Sequence, residues 1–109
     1  MIADLNQDAS EEAAAKLQAE GFEAIGIGTD VSSRQSVKNM VLKTVEKFGK
    51  IDVLINNAGV TINEKPIFEV TEDEWDFVHN IDLRGFFFTS QVVAEQMKEQ
   101  GTGGRIVNL

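Results

Sequence analysis

The chain has 109 residues, 42% of them apolar, and carries 18 acidic against 10 basic residues for a net charge of -8. That length supports one small domain with its own core and excludes two. The apolar content argues against disorder, and the acidic balance argues against nucleic acid or an anionic membrane as the main partner, since both attract basic patches.

Cysteine is absent, which removes disulfide and thiolate chemistry and fits a reducing, cytoplasmic compartment. No leader and no membrane-spanning run is expected; the longest aromatic cluster, Phe86-Phe87-Phe88, is far too short to cross a bilayer. No repeat, linker or metal-ligand cluster is read from the sequence.

Met1 to Asn6 reads as the end of a strand and a turn. Asp8-Ala9-Ser10-Glu11 offers helix-start chemistry, with acids where the helix dipole favours them. Ala9 to Glu20 is rich in good helix formers, and Gly21 supplies a stop. Phe22 to Thr29 is a second strand, with Asp30-Val31 at its end. Ser32 and Gln35 have the spacing of a capping box, and Val37, Met40, Val41, Val45 and Phe48 form one apolar helical face ended by Gly49.

Ile51 to Ile55 is an apolar run that passes straight into Asn56-Asn57-Ala58-Gly59. It reads as a buried parallel strand, and in open α/β sheets ligands bind in the crevice beyond the carboxyl ends of such strands. Thr61 to Pro66 is a loop. Thr71 and Glu74 form another capping box, and a helical pattern runs from about 72 to 100 with an interruption near Asp82 to Gly85. Arg105 to Leu109 is a fourth strand. Strand and helix alternate throughout, which predicts an α/β, three-layer, Rossmann-like fold: one domain over 1–109, a parallel four-stranded sheet and helices on both faces.

Six short motifs in order resemble the short-chain dehydrogenase/reductase family over Asp4 to Leu109. They are Asp4 at a strand end, Asp30-Val31, the Phe48 to Asp52 lead-in, Asn56-Asn57-Ala58-Gly59, Glu74-Trp75-Asp76, and Gly104 to Asn108. The resemblance implies NAD(P)-dependent hydride transfer between nicotinamide and an alcohol or ketone. It also implies that the family's first strand and glycine-rich turn would precede Met1, and that its catalytic serine, tyrosine and lysine would follow Leu109. The chain has no tyrosine at all. It is therefore similar to a central segment of such an enzyme, one expected not to catalyse alone.

The resemblance assigns roles residue by residue. Asp4 would accept hydrogen bonds from the adenosine ribose and repel a 2′-phosphate, favouring NAD over NADP; taken alone it would read as a plain turn aspartate, and the resemblance favours the binding role. Asp30 and Val31 would line the adenine pocket, or merely start a helix. Asn57, Ala58 and Gly59 would present backbone to the cofactor, and Asn56 would tie neighbouring strands together. Asp82 stands where the family usually has an asparagine that helps hold a water of the proton relay. Aspartate keeps the acceptor oxygens and loses the NH2 donor. Gluconate 5-dehydrogenase-like members also carry it, a faint pointer to sugar-acid or polyol substrates. His79 lacks any catalytic or metal-ligand partner in sequence, and Trp75 and Phe86 to Phe88 read as core or interface.

Without the family's first strand, its order of strands would leave a gap. Closure of that gap is expected, giving the order 2-1-3-4, because open strand edges are unfavourable. The outer edge of the last strand and the apolar face of helix 83-100 are expected to be exposed and to drive homo-oligomerisation. Two other readings remain beside the oxidoreductase one: a non-catalytic nucleotide-binding module, and a purely structural, self-associating fragment.

Overall fold

The computed structural model describes all of residues 1–109. Four helices and four short strands alternate as strand β1 (Ile2–Asp4), helix α1 (Gln7–Ala19), β2 (Gly26–Gly28), α2 (Arg34–Phe48), β3 (Val53–Asn56), α3 (Glu72–Asp82), α4 (Arg84–Glu99) and β4 (Arg105–Asn108), with one 3-10 turn at Ile67–Glu69.

Local chemistry explains most boundaries. Thr71 and Glu74 form the reciprocal capping box of α3. Gly49 ends α2 at φ 82°, a left-handed conformation in which a side chain would be strained. Two starts differ from the sequence expectation. α1 begins at Gln7, capped by the Asn6 side chain accepting from Ala9 N, and Ser10 lies buried inside the helix. α2 is capped by Ser33, which accepts from Ser36 N at 3.3 Å, while Ser32 turns back to Asp30. In both cases a neighbouring cap residue reached the exposed amides first. The expected interruption of the long helix falls at Leu83, between α3 and α4.

β1 pairs with β2 in parallel, Ile2 opposite Gly26, and β3 pairs with β4 in parallel, Val53 opposite Arg105. The strand alternation sorts the two faces. Gly26 and Gly28 face α1, so closely that a Cβ on Gly26 would strike the Ser10 backbone. Ile27 and Leu54 face the other way, onto the core that α2 and α4 build from Val37, Met40, Val41, Ile51, Val92, Val93 and Met97. Helices thus cover both faces of β1–β2. The α1 side of β3–β4 is bare, and Val53 and Ile55 are 55% and 59% exposed.

The four-stranded closed sheet does not form. The two pairs are separate two-stranded sheets with no ladder between β1 and β3, so the order 2-1-3-4 stops at its centre. The physical reason is visible in the packing. α2 and α4 hold the pairs from one face only, and the space between the edges stays open as a cleft. The radius of gyration, 15.5 Å, accordingly exceeds the roughly 13 Å of a closed domain of this length. No helix is long and apolar enough to cross a membrane.

Candidate functional site

The cleft has a volume of about 600 Å³. Ala3 of β1 and Val53, Leu54 and Ile55 of β3 form its walls, and Met40, Thr44, Thr89 and Val93 of α2 and α4 form its floor. Its polar rim lies where β1, β2 and β3 all end, so these strands run in one direction and their carboxyl ends open onto one crevice. Asp4, Asp30, Val31, Asn57, Ala58 and Gly59 all line it. The six residues selected from sequence for a cofactor are thereby brought together, although they come from three separate strand ends.

Each is positioned locally. Asp4 Oδ1 accepts from Asn6 N at 2.9 Å, which bends the chain from β1 into α1 and leaves the exposed carboxylate at the rim. Asp30 Oδ1 accepts from Ser32 N and Ser32 Oγ at 2.9 and 2.6 Å, and its own N–H donates to Ser36 Oγ. Asp30 therefore builds the entry to α2 whatever else it does. Val31 packs on Gly85, where an added Cβ would come within 2.7 Å of Val31 Cγ2. That contact seats the adjoining rim on the first turn of α4.

Asn56 is buried and fully engaged: Nδ2 donates to Ser90 Oγ and to Asn108 Oδ1, and Oδ1 accepts from Thr89 Oγ1 at 2.6 Å. It ties β3 to β4 and to α4, and this fixes the start of the Asn57 to Val60 segment. Those residues, up to Gly59, are exposed to the crevice. Asp82 is not among the residues lining the cleft. Its Oδ1 accepts from Val60 N at 2.9 Å and so holds the far end of the same segment. The acceptor oxygen that aspartate shares with asparagine is the atom in use.

His79 stacks on Trp75 with ring centroids 3.9 Å apart and its Nδ1 lies 2.9 Å from Trp75 O, away from the cleft. Phe86 lines the cleft, Phe88 packs on the core beneath the guanidinium groups of Arg34 and Arg84, and Phe87 is exposed. Sequence reasoning passed over Thr29. Its side chain is 3% exposed, lines the cleft, and its hydroxyl has no hydrogen-bond partner. Its one signal was its place, directly before Asp30 at a strand end.

A parallel α/β assembly whose strand ends open onto a shared polar crevice has the architecture of Rossmann-like nucleotide-binding folds. Comparison with known proteins agrees. The short chain dehydrogenase family matches residues 1–109, and the chain belongs to that family. It is 38% identical to the short chain dehydrogenase/reductase astE of Aspergillus oryzae over 110 residues, covering all of this chain and 42% of the relative. It is 40% identical to 2-dehydro-3-deoxy-D-gluconate 5-dehydrogenase of Dickeya dadantii over 94 residues, 86% of this chain and 37% of that one. An NAD+-bound xylitol dehydrogenase superposes with a TM-score of 0.90 at 38% identity, over 97% of this chain and 40% of the other. The chain thus spans about two fifths of the length of the relatives it matches.

Proposed function

We propose that this chain is the adenosine-side half of the NAD site of a short-chain oxidoreductase acting on an alcohol or ketone, and that it does not turn over substrate by itself. The observation that carries the reading is the convergence of Asp4, Asp30, Val31, Asn57, Ala58 and Gly59 on one cleft. The residues fit the group. The Asp4 carboxylate suits ribose hydroxyls and disfavours a 2′-phosphate, so NAD is preferred to NADP. Asp30 and Val31 offer a polar and an apolar contact for adenine, and Gly59 lets backbone approach closely. When bound, the cofactor supplies the hydride chemistry. The protein's part here is to bind and orient it. Asp82 takes a positioning role through Val60 rather than direct proton transfer.

The reading that residues 1–109 do not turn over substrate by themselves is supported by the lack of any tyrosine among them to move the alcohol proton. Similarity to a gluconate-type dehydrogenase and to a xylitol dehydrogenase supports sugar acids or polyols as the substrate class of the whole enzyme. Exposed Trp75 and Phe77 on α3, Leu83 at the junction and Phe87 on α4, with the free edge of β4, support homo-oligomerisation. The absence of cysteine supports a reducing, cytoplasmic setting. Calorimetric titration with NADH tests the central claim. Saturable binding that AMP competes away and Asp4→Ala weakens is the expected result. No saturable binding up to about 1 mM NADH would leave a folded, self-associating unit without a nucleotide site.

A further inference from the structure

Side chains close the outer edge of β2. Ile2 N donates to Ile25 O and Thr29 N donates to Asp4 O, so Ile25, Ile27 and Thr29 turn their backbone groups toward β1. Ala24, Gly26 and Gly28 turn theirs outward, where no further strand lies. An open edge of this kind is a template for a strand of another chain. Two side chains of α1 reach it. Gly28 N–H donates to Gln7 Oε1, and Gln18 Nε2 donates to Ala24 O at 2.7 Å. Glu11 Oε1 accepts from Gln7 Nε2, which sets that amide with its oxygen toward the strand. An added Cβ on Gly28 would lie 2.8 Å from Gln7 Oε1, so glycine lets the helix descend far enough for its side chains to reach the edge. Between Ala24 O and Gly28 N–H only the backbone groups of Gly26 remain.

We infer that Gln7 and Gln18 are edge guards, which keep β2 from pairing with the β2 edge of a second copy of this chain. The edge is self-complementary. Two copies related by a two-fold axis would lay it antiparallel, with Gly26 of each copy opposite Gly26 of the other. Gly28 N–H of each copy would then donate to Ala24 O of the other. Those are the two groups that the glutamines hold. Gln18 supplies Ala24 O with the donor, and Gln7 supplies Gly28 N–H with the acceptor, that the second copy would bring. The ion pair of Lys47 Nζ with Glu23 Oε1, at 3.1 Å, adds exposed charge beside the start of the same edge. This inference concerns the far side of β2 from the cleft and does not rest on the nucleotide reading.

The test uses the full chain without nucleotide, in a Leu83→Lys, Phe87→Lys background that removes two exposed apolar side chains near the start of α4, and at high salt, which screens the charge of -8. Gln7→Ala with Gln18→Ala strips both guards with a residue that favours helix. At about 1 mM chain, light scattering is expected to show roughly twice the mass of the background. Amide exchange at Gly26 is expected to slow about tenfold as concentration rises. Gln7→Glu keeps an acceptor for Gly28 N–H and is expected to keep the background mass. A folded double variant of unchanged mass, doubling without protection of Gly26, or doubling in Gln7→Glu would each overturn the guard role. Should the double variant lose its helical signal, Gln7→Ala alone decides: Gly26 protection that rises with concentration supports the guard, and its absence overturns it.

Discussion

The carboxylate of Asp82 reaches one backbone amide, that of Val60, and through it the loop that carries Asn57 to Gly59. If holding that loop is its task, the acceptor oxygen matters and the charge does not. Asp82→Asn is then expected to keep the Val60 amide protected. Asp82→Ala is expected to speed its exchange by about tenfold, the order expected for losing one hydrogen bond. Equal exchange in both variants would remove the positioning role. Thr29 carries the opposite expectation. Its hydroxyl is buried without a partner, so the isosteric Thr29→Val should stabilise the free chain by about 1 kcal/mol, read as a higher urea midpoint with an unchanged slope. At this scale the sequence was legible where a motif carried the family resemblance. Asp4, Asp30 and Asn57 to Gly59, chosen on that ground, line one cleft. Thr29 was not chosen, because its significance lies in what fails to face it, and the bond from Asp82 to Val60, 22 positions away, is invisible in one dimension.

Among the elements, α3 has the most strongly perturbed terminus. Lys65 Nζ donates to Glu74 Oε1 at 2.6 Å, and Thr71 N and Oγ1 donate to Glu74 Oε2. The lysine, then the threonine backbone amide, hold the Glu74 carboxyl well below its ordinary value of 4.5, at about 2. A carboxyl depressed in the folded state stabilises fully above its unfolded value and loses that contribution as pH falls toward the folded one. Wild type should therefore melt higher than Glu74→Gln at pH 6, and the difference should shrink as pH drops from about 4.5 toward 2. A difference that stays constant across that window would refute the assignment. Gly26 governs a different contact. A methyl there meets the Ser10 backbone, which cannot swing aside, so Gly26→Ala should cost about 3 kcal/mol by thermal or chemical denaturation. The α3 cap was readable because Thr71 and Glu74 are three residues apart. The starts of α1 and α2 were misplaced by one or two residues, since several cap-competent side chains stood in a row and only packing chose among them.

The whole molecule departs most from expectation. Alternating strands and helices gave the α/β class, a pattern within 10 to 50 residues, and the resembled family's strand order implied the pairing of β1 with β2 and of β3 with β4. The expected closure between β1 and β3 had no local signal. It rested on the cost of open edges, and α2 and α4 brace the two pairs apart strongly enough to leave those edges unpaired. Exposed Leu83 and Phe87 on the α4 side predict self-association. Light scattering should show an oligomer for wild type and a smaller species for the Leu83→Lys, Phe87→Lys double variant. A monodisperse wild-type monomer would refute this.

The divided sheet also decides how the molecule comes apart. β1, α1 and β2 are consecutive and close short loops, whereas β3 and β4 meet across about fifty residues and rely on the Asn56 network with α4. With no shared ladder, these become two cooperative units of different strength rather than one. Denaturation followed at Trp75 should then give a midpoint distinct from that of the far-ultraviolet helical signal, and coincident midpoints would show one all-or-none unit instead.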